Sequence, residues 1–217
     1  MHQLLTVDMQ RDLLEVNRRL AEENHELLKG RGIRSVDLMG SIGSGKTLLI
    51  ERMAKVMKDR GIRPGVITGD VAGDDDHRRI SALGIPAVNV NTGKECHIDA
   101  HLAEHAIEDM DLDSIDVLLI ENVGNLVCPA DFPLGTDKRA VVISVTEGDD
   151  MIRKHPVIFR EADVIVINKS DLAGVMEVDI EVLKKDANIV RPNSRIVVTD
   201  ARHGAGIEEL VEALGLL

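Results

Sequence analysis

Residues Gly40–Thr47 read GSIGSGKT, and this stretch decides the fold. It satisfies the pattern G-x-x-x-x-G-K-[ST] at every fixed position. The apolar run Ser35–Met39 precedes it and the helical segment Lys46–Asp59 follows it, which is the strand–loop–helix context that the pattern needs. The sequence therefore predicts a phosphate-binding loop at the carboxyl end of a strand.

The fixed positions of this loop each have a chemical role. Glycines let the backbone curl so that successive N–H groups face a phosphate, and the N-terminus of the following helix adds a positive dipole. We expect Lys46 to reach the β- and γ-phosphates and the Thr47 hydroxyl to bind Mg²⁺. The predicted nucleotide-binding residues of the loop are Gly40, Gly43, Ser44, Gly45, Lys46 and Thr47.

The rest of the chain alternates between strand and helix patterns. Short runs rich in valine and isoleucine predict strands at Ser35–Met39, Gly65–Thr68, Val117–Ile120, Ala140–Val145, Val164–Ile167 and Arg195–Val198. Helical patterns lie between them at Lys46–Asp59, Asp75–Ala82, His97–Asp109, Met176–Ala187 and Ile207–Leu214. This succession predicts an α/β fold of the P-loop NTPase type, a doubly wound and mainly parallel sheet flanked by helices, over residues 31–217.

Residues 1–30 form a different unit, an N-terminal helical extension. The segment Val7–Lys29 is charged and predicts a long amphipathic helix ended by Gly30 and Gly32. Its narrow apolar stripe consists of Leu13, Val16, Leu20 and Leu27. Two interpretations stay open: the helix lies on the sheet domain, or it is a docking surface for a partner.

Composition excludes several classes of function. The 217 residues include 26 Lys and Arg against 38 Asp and Glu, a net charge of −12, so we expect no nucleic-acid partner. The early charges of the N-terminus argue against a signal peptide, and no apolar run approaches the roughly 18 residues of a membrane span. Two cysteines without an export signal are typical of reduced thiols in the cytoplasm.

A second motif indicates which base the nucleotide carries. Asn168–Asp171 reads NKSD directly after a predicted strand. The Asp171 carboxylate can accept hydrogen bonds from the ring N–H and the exocyclic amine of guanine, whereas adenine would leave that charge unpaired. Asn168 and Lys169 would hold the loop and cover the base, and the backbone N–H near Ala201 would meet the guanine carbonyl. The predicted ligand is GTP.

Carboxylates for the Mg²⁺ shell are expected at other strand ends on the same edge of the sheet. Asp70 ends GVITGD, and Glu121 ends DVLLIE in the place where GTPases usually carry the Asp of D-x-x-G. We expect Thr47, Asp70 and Glu121 to hold Mg²⁺, and Asp76 to orient the attacking water. Lys46, Asp76 and Glu121 are the predicted catalytic residues, although a strand-end acid can also be an ordinary solvated residue.

A cysteine and histidine constellation lies between these acids. Cys96 and His97 are adjacent, and His101 and His105 follow at four-residue steps, which on a helix would form one ridge. Cys128 lies seven residues beyond Glu121. Thiolate with imidazole suits Zn²⁺ or Ni²⁺, and Cys96, His97 and Cys128 leave a fourth position for water or a second subunit. Buried core cysteines and a solvated histidine ridge are the alternative.

With these residues in hand, the chain resembles the HypB family of hydrogenase nickel-incorporation GTPases. The resemblance covers essentially the whole sequence. Its most specific stretches are GSIGSGKT (Gly40–Thr47), NTGKECHIDAH (Asn91–His101), IENVGNLVCPADFPLGT (Ile120–Thr136), VISVTEGDD (Val142–Asp150) and INKSD (Ile167–Asp171).

The resemblance implies a cytoplasmic GTPase that dimerises on GTP and inserts Ni²⁺ into [NiFe]-hydrogenase, together with a HypA-like nickel protein and the hydrogenase large subunit. It carries a Ni²⁺ or Zn²⁺ site over to Cys96, His97 and Cys128, with His101 and His105 as secondary ligands. The sequence has neither the CxxCxC motif nor the histidine-rich tract of some family members, so we expect no N-terminal nickel store.

Three alternatives stay open. A urease-type accessory GTPase typically carries Cys-Pro-His where this chain has Cys128-Pro129-Ala130. A P-loop kinase acting on a small molecule would need a lid with arginines and has no use for NKSD. A metal-binding scaffold with a vestigial nucleotide loop is the third alternative, and the intact Lys46 and Thr47 argue against it.

Overall fold

One parallel sheet with helices on both faces organises the computed structural model, which describes residues 2–217, with side chains from residue 11 onward. The described strands are β1 (Arg34–Gly40), β2 (Pro64–Asp70), β3 (Ala87–Asn91), β4 (Val117–Glu121), β5 (Lys138–Ser144), β6 (Val164–Asn168) and β7 (Arg195–Val198). All neighbouring strands are parallel, in the order β3-β2-β4-β1-β5-β6-β7. The predicted doubly wound P-loop NTPase fold is confirmed.

The helices that cover this sheet are α1 (His2–Gly30), α2 (Lys46–Asp59), α3 (Asp75–Ser81), α4 (Ala100–Glu108), α5 (Met151–Lys154), α6 (Pro156–Arg160), α7 (Ile180–Val190) and α8 (Ile207–Ala213). Successive side chains of a strand point to opposite faces. Along β4, Val117 and Leu119 therefore join the core under α2 and α8, whereas Leu118 and Ile120 join the core under α4. Burial on both faces explains why these strands are apolar throughout.

The parallel arrangement places the functional positions together. Because all seven described strands run the same way, their carboxyl ends meet at one edge of the sheet. That edge carries Gly40 at the end of β1, Asp70 at the end of β2, Glu121 at the end of β4 and Asn168 at the end of β6. Over the part of the chain that the structure describes, no helix is both long and apolar enough to cross a lipid bilayer.

One strand was missed, and the starts of two helices were predicted wrongly. Strand β3 was missed because its polar Asn89 and Asn91 break the apolar run at the edge of the sheet. Helix α4 begins at Ala100 rather than His97, since the side chain of Asp99 accepts a hydrogen bond from the N–H of Leu102 at 2.8 Å and so caps the helix there. Asp179 likewise caps α7, which begins at Ile180 rather than Met176.

Helix α1 packs on the domain through a different face from the one its apolar stripe predicts. The interpretation that the helix lies on the sheet domain is confirmed, but Leu13, Val16 and Leu27 of the stripe remain 57%, 46% and 40% exposed. The buried face is Asn17, Ala21, Asn24 and Leu28. Its asparagines bond backbone groups at the start of α4 and in the segment before β5, and this hydrogen bonding stabilises a polar contact that hydrophobic periodicity overlooks. The start of the predicted helix, from Val7 to Gln10, lies outside the described side chains.

Candidate nucleotide and metal site

The loop between β1 and α2 has the backbone shape that its glycines allow. Gly43 and Gly45 have positive φ angles of 75° and 97°, a region that other residues adopt at a cost in energy. A Cβ atom at Gly40 would lie 2.2 Å from the carbonyl oxygen of Val142, and one at Gly45 would lie 2.5 Å from Nδ2 of Asn168. Glycine is therefore required at Gly40 and Gly45 by contact as well as by conformation, and at Gly43 by conformation alone.

Lys46 lies inside this loop at the start of α2. Its Nζ donates hydrogen bonds to the carbonyl oxygens of Gly40 at 3.2 Å and Ser41 at 3.0 Å. Burial lowers the pKa of Lys46, while the nearby carboxylates of Glu121 and Asp76 raise it. The ammonium group thus lies next to the glycine loop with exchangeable carbonyl partners, which is the starting position for binding a phosphate. The Ser44 hydroxyl donates to the Ser41 carbonyl and shapes the same turn.

Glu121 is the most unusual carboxyl group of the edge. It is only 5% exposed, and its Oε1 accepts a hydrogen bond from the Thr47 hydroxyl at 2.8 Å, while its buried Oε2 has no hydrogen-bond partner. Burial raises the pKa of Glu121 to about 7. A buried carboxylate oxygen without a partner, next to a threonine hydroxyl, fits a hard divalent cation such as Mg²⁺.

The other predicted acids line the same phosphate pocket, which has a volume of about 580 Å³. Asp70 accepts a hydrogen bond from the N–H of Val71 at 2.6 Å, and Asp76 lies in the first turn of α3. Sequence reasoning missed Arg79, which lines the pocket as well and bridges Asp76 at 3.3 Å and Glu51 at 3.0 Å. Nothing in the sequence distinguishes it from the exposed arginines of other helices.

The NKSD segment is tied directly to the phosphate loop. Asn168 donates from Nδ2 to the Ser44 carbonyl at 2.8 Å, and its Oδ1 accepts from the Thr199 hydroxyl at 3.0 Å and from the N–H of Ala201 at 3.3 Å. Lys169 donates from Nζ to the Gly43 carbonyl at 2.6 Å. One asparagine therefore joins three loops, so a base and a phosphate bound here would be held in a fixed relative position.

A second pocket adjoins the first and has a volume of about 450 Å³. Asp171 lines it together with Leu172 and Ala201, and both pockets share Gly45, Leu48 and Lys169. A purine base next to its phosphates requires such a continuous pair of pockets. The Ala201 N–H is directed at Asn168, so the predicted contact with a guanine carbonyl would have to share that donor.

Cys96, His97 and Cys128 come together in space, with one ligand atom from each within 4.8 Å of the others. The two Sγ atoms are 2.9 Å apart, and Cys96 Sγ is 3.8 Å from Nδ1 of His97. The His97 ring stacks on Phe132 with ring centroids 4.1 Å apart. The fold has therefore assembled two thiols and an imidazole from segments that are distant in sequence.

The protonation chemistry of this cluster suits a soft divalent cation. Burial lowers the pKa of His97, which is only 8% exposed, and so favours the neutral imidazole that a metal binds. The hydrogen bond to Cys128 and partial burial raise the pKa of the Cys96 thiol. A bound cation would reverse that direction because it stabilises thiolate strongly. Two sulfurs and one nitrogen are a ligand set for Ni²⁺ or Zn²⁺.

The histidine ridge that the sequence predicted does not form. His97 precedes α4, whereas His101 and His105 lie on its exposed side with their rings 4.4 Å apart. Each pairs with an acid one turn further on, His101 with Glu104 and His105 with Glu108. They lie outside the cluster of Cys96, His97 and Cys128, because the Asp99 cap separates His97 from the helix.

Comparison with known proteins identifies the family of this chain. Residues 35–198 match the CobW/HypB/UreG nucleotide-binding domain. A probable hydrogenase maturation factor HypB of Methanocaldococcus jannaschii is 50% identical over 212 residues, which are 98% of this chain and 96% of the relative.

Two solved structures have the same fold. The crystal structure of the hydrogenase maturation factor HypB from Archaeoglobus fulgidus superimposes with a TM-score of 0.86 at 47% identity, covering 93% of this chain and 98% of that one. HypB from Helicobacter pylori in complex with nickel superimposes with a TM-score of 0.86 at 33% identity, covering 91% and 93%. This chain belongs to the CobW/HypB/UreG family of nucleotide-binding proteins and, within it, to the HypB hydrogenase maturation factors.

Proposed function

We propose that this hydrogenase maturation factor hydrolyses GTP and thereby controls a Ni²⁺ site formed by Cys96, His97 and Cys128. The observation that carries the proposal is the position of Cys128, on the segment that begins at Glu121 beside Thr47 of the phosphate loop. A structural change at the terminal phosphate can therefore reach the metal ligand Cys128 through the short segment that begins at Glu121. Nickel is the cargo of the reaction, to be released into [NiFe]-hydrogenase.

Guanine recognition is assigned to the second pocket. The Asp171 carboxylate would accept two hydrogen bonds from guanine, and Lys169 lies between this pocket and the phosphate pocket. Adenine offers no donor at the matching ring position, so it would leave the carboxylate unpaired at a cost of about 1–3 kcal/mol or more. GTP is the nucleotide that this charge favours.

Hydrolysis follows from the residues around the phosphate pocket. Lys46 exchanges the Gly40 and Ser41 carbonyls for phosphate oxygens, and Asp76 orients the attacking water. Thr47, Asp70 and Glu121 would hold Mg²⁺, which when bound neutralises the charge that develops on the phosphates. Without an activator such sites turn over on the order of 10⁻³ per second or slower.

The Ni²⁺ site is supported by its own ligand set and by the nickel complex of the H. pylori relative. Zn²⁺ accepts the same three donors and is the competing ion. A fourth ligand from water or from a second copy of the chain completes the shell. The second option makes the metal site part of a GTP-dependent homodimer.

Two partners complete the proposed reaction, a HypA-like nickel protein and the hydrogenase large subunit. The exposed stripe of Leu13, Val16 and Leu27 on α1 supports a docking role, since three large apolar side chains remain uncovered on one helix face. The reaction belongs in the cytoplasm, where thiols stay reduced. Delivery to urease is the second candidate, and Ala130 argues against it, because urease-type accessory GTPases typically carry histidine at this position.

The proposal is tested by measuring nucleotide and metal together. We expect GTP to bind at least about 100-fold more tightly than ATP. Equilibrium binding of Ni²⁺ with GDP and with a non-hydrolysable GTP analogue, under a phosphine reductant, should give different affinities in the two states, and light scattering should give a larger mass with the analogue. Phosphoryl transfer from GTP to a small molecule rather than to water would favour the kinase alternative. Equal Ni²⁺ affinities and one unchanged mass would overturn the switch.

A further inference from the structure

We propose that Asn125 is a positioning residue that couples the phosphate loop to both segments carrying the cluster thiols. Its backbone N–H donates to the carbonyl oxygen of Gly40 at 3.0 Å. From its side chain, Nδ2 donates to the Cys96 carbonyl at 3.2 Å, and Oδ1 accepts from the N–H of Val127 at 2.8 Å. One half-buried residue thus bonds the first glycine of the loop, one metal ligand and the neighbour of the other.

The chain also lies close to the phosphate loop next to this hydrogen bond. The preceding residue, Gly124, packs so tightly that a Cβ atom there would lie 2.9 Å from the backbone N of Ile42 in the loop. The Gly40 carbonyl is shared, because it also accepts from Nζ of Lys46 at 3.2 Å. When Lys46 moves to a phosphate, Asn125 becomes the remaining partner of that carbonyl, so the nucleotide state alters the backbone on which Asn125 rests.

Asn122 forms the other tie between these segments, and its surroundings give it a different role. Its Oδ1 accepts from the N–H of Ile98 at 3.0 Å, and its Nδ2 donates to the Asp37 carboxyl at 3.2 Å. Asn122 is fully enclosed in the sheet edge, where it fixes the fold. Asn125 lies nearer the surface and bonds a ligand residue directly, so its substitution is expected to alter coupling and leave the fold intact.

This inference rests on the proposed nickel switch, and two substitutions of one residue test it. Asn125→Ala removes both side-chain bonds. Asn125→Asp keeps the acceptor for the Val127 N–H but turns a carboxylate oxygen toward the Cys96 carbonyl, which removes that donor and adds repulsion. The matched control is Asn188→Ala, because Asn188 also bonds a backbone carbonyl, that of Lys184, but lies on α7 away from both sites.

The measurement is the Ni²⁺ dissociation constant, read from the thiolate-to-nickel absorption band, with GDP and with a non-hydrolysable GTP analogue. In the parent and in Asn188→Ala we expect the two states to differ at least about fivefold, the usual lower range of coupling between sites. In Asn125→Ala and Asn125→Asp that ratio should fall to within about twofold of one. GDP affinity should stay within about twofold of the parent, and the thermal unfolding midpoint should fall by no more than about 5 °C.

Each outcome decides between the proposals. If the Ni²⁺ dissociation constant depends on the nucleotide equally in the parent and in Asn125→Ala, the role of Asn125 is overturned and the nickel switch is retained. Rescue of coupling by Asn125→Asp shows that the bond to Cys96 is not needed and overturns the inference as stated. A parent with no nucleotide dependence of Ni²⁺ affinity overturns both this inference and the switch from which it follows.

Discussion

The phosphate loop and the thiol–imidazole cluster lie at the same edge of the sheet but are built in opposite ways. The loop is eight consecutive residues whose shape follows from their own glycines. The cluster joins Cys96 to Cys128, which are 32 positions apart, and neither segment has a regular structure of its own around the thiol beyond a short helical turn at Cys128. A local motif makes one site, and the tertiary fold makes the other.

Buried polar contacts hold the cluster from inside the sheet. The Asp37 carboxyl in β1 bonds Asn122, which holds the N–H of Ile98 just after His97. On its other side Asp37 lies 3.7 Å from Nε of Arg139. Arg139 in turn donates to the carbonyls of the two residues after Cys128, Pro129 and Ala130. A single buried carboxyl thus supports both arms of the cluster.

Helix α1 holds the same two arms from outside. Asn17 accepts from the N–H of Ala100 at 2.8 Å, and Asn24 donates to the Ala100 carbonyl at 2.9 Å. Asn24 also donates to the Leu134 carbonyl at 3.1 Å, beyond Cys128. We therefore expect Ni²⁺ affinity to depend on these supports behind the cluster, which make no hydrogen bond to the phosphate loop among the described residues. Substitutions that touch one site and spare the other test it directly.

The largest expected effect comes from Lys46→Ala. Removing the ammonium group that neutralises the phosphates should lower the rate of GTP hydrolysis by about 10³-fold or more. Ni²⁺ affinity in the absence of nucleotide should stay within about twofold, because Lys46 bonds no residue of the cluster and the hydrogen bond from the Asn125 N–H to the Gly40 carbonyl remains in the variant. Hydrolysis is followed by phosphate release, with Lys55→Ala on the exposed side of α2 as the control. A comparable loss of Ni²⁺ affinity in Lys46→Ala would contradict the separation of the two sites.

Glu121→Gln tests the residue that joins the phosphate loop to the segment leading to Cys128. The expected effect is a change in how stability depends on pH. Burial raises the pKa of Glu121 from 4.5 to about 7, so the stability this group contributes is present below about pH 4.5 and lost as the pH rises through about 7. The glutamine variant lacks that loss. As the pH rises from 5 to 8, the free energy of unfolding of Glu121→Gln minus that of the parent should therefore increase by on the order of 3 kcal/mol.

The measurement is urea unfolding of the nucleotide-free protein across this pH range. Glu161→Gln, which replaces an exposed carboxylate, serves as the control and should run parallel to the parent. A Glu121→Gln curve that also runs parallel would show that the carboxyl group titrates in the folded protein as it does in the unfolded chain.

Cys128→Ser removes one ligand of the cluster and should weaken Ni²⁺ binding by about 100-fold. GDP affinity should remain within about twofold, since the pocket contacts of Gly45, Lys46 and Asn168 are untouched. Isothermal titration of both ligands on the same preparation checks the two values. Full Ni²⁺ affinity in this variant would remove Cys128 from the metal site, and with it the link to the segment after Glu121.

The sequence predicts the phosphate loop better than the surroundings of the thiol–imidazole cluster, because the loop is contiguous and the cluster is joined only by the fold. Gly40–Thr47 and Asn168–Asp171 are each contiguous, so the first was predicted from its own pattern and the second from its pattern together with its place after a strand and after the phosphate loop. Arg79 and Asn125 could not be found this way, since Glu51 comes close to Arg79, and Gly40 and Cys96 come close to Asn125, only in the folded chain. Helical spacing misplaced His97 because the capping strength of Asp99 was not weighed against the periodicity.

The smallest effects are expected from α1, where one substitution on the buried face and one on the exposed face are compared by the free energy of unfolding. Asn24 is 2% exposed and bonds two backbone carbonyls, so Asn24→Ala should lower the free energy of unfolding by about 1–3 kcal/mol. Leu27, one turn further on, is 40% exposed, and Leu27→Ala should stay within about 0.5 kcal/mol of the parent. Hydrophobicity alone predicts the reverse order.

The same pair sharpens the comparison of the two sites. Asn24→Ala removes the hydrogen bonds to the carbonyls of Ala100 and Leu134, which follow His97 and Cys128 in the chain. Ni²⁺ affinity should therefore fall a few fold. This is less than the roughly 10–100-fold expected when a residue bonded directly to a metal ligand is replaced. GDP affinity should not change in either variant, because α1 makes no hydrogen bond to the phosphate loop among the described contacts. Equal losses of Ni²⁺ and GDP affinity would mean that α1 supports the whole sheet edge, and that the two sites share their supports after all.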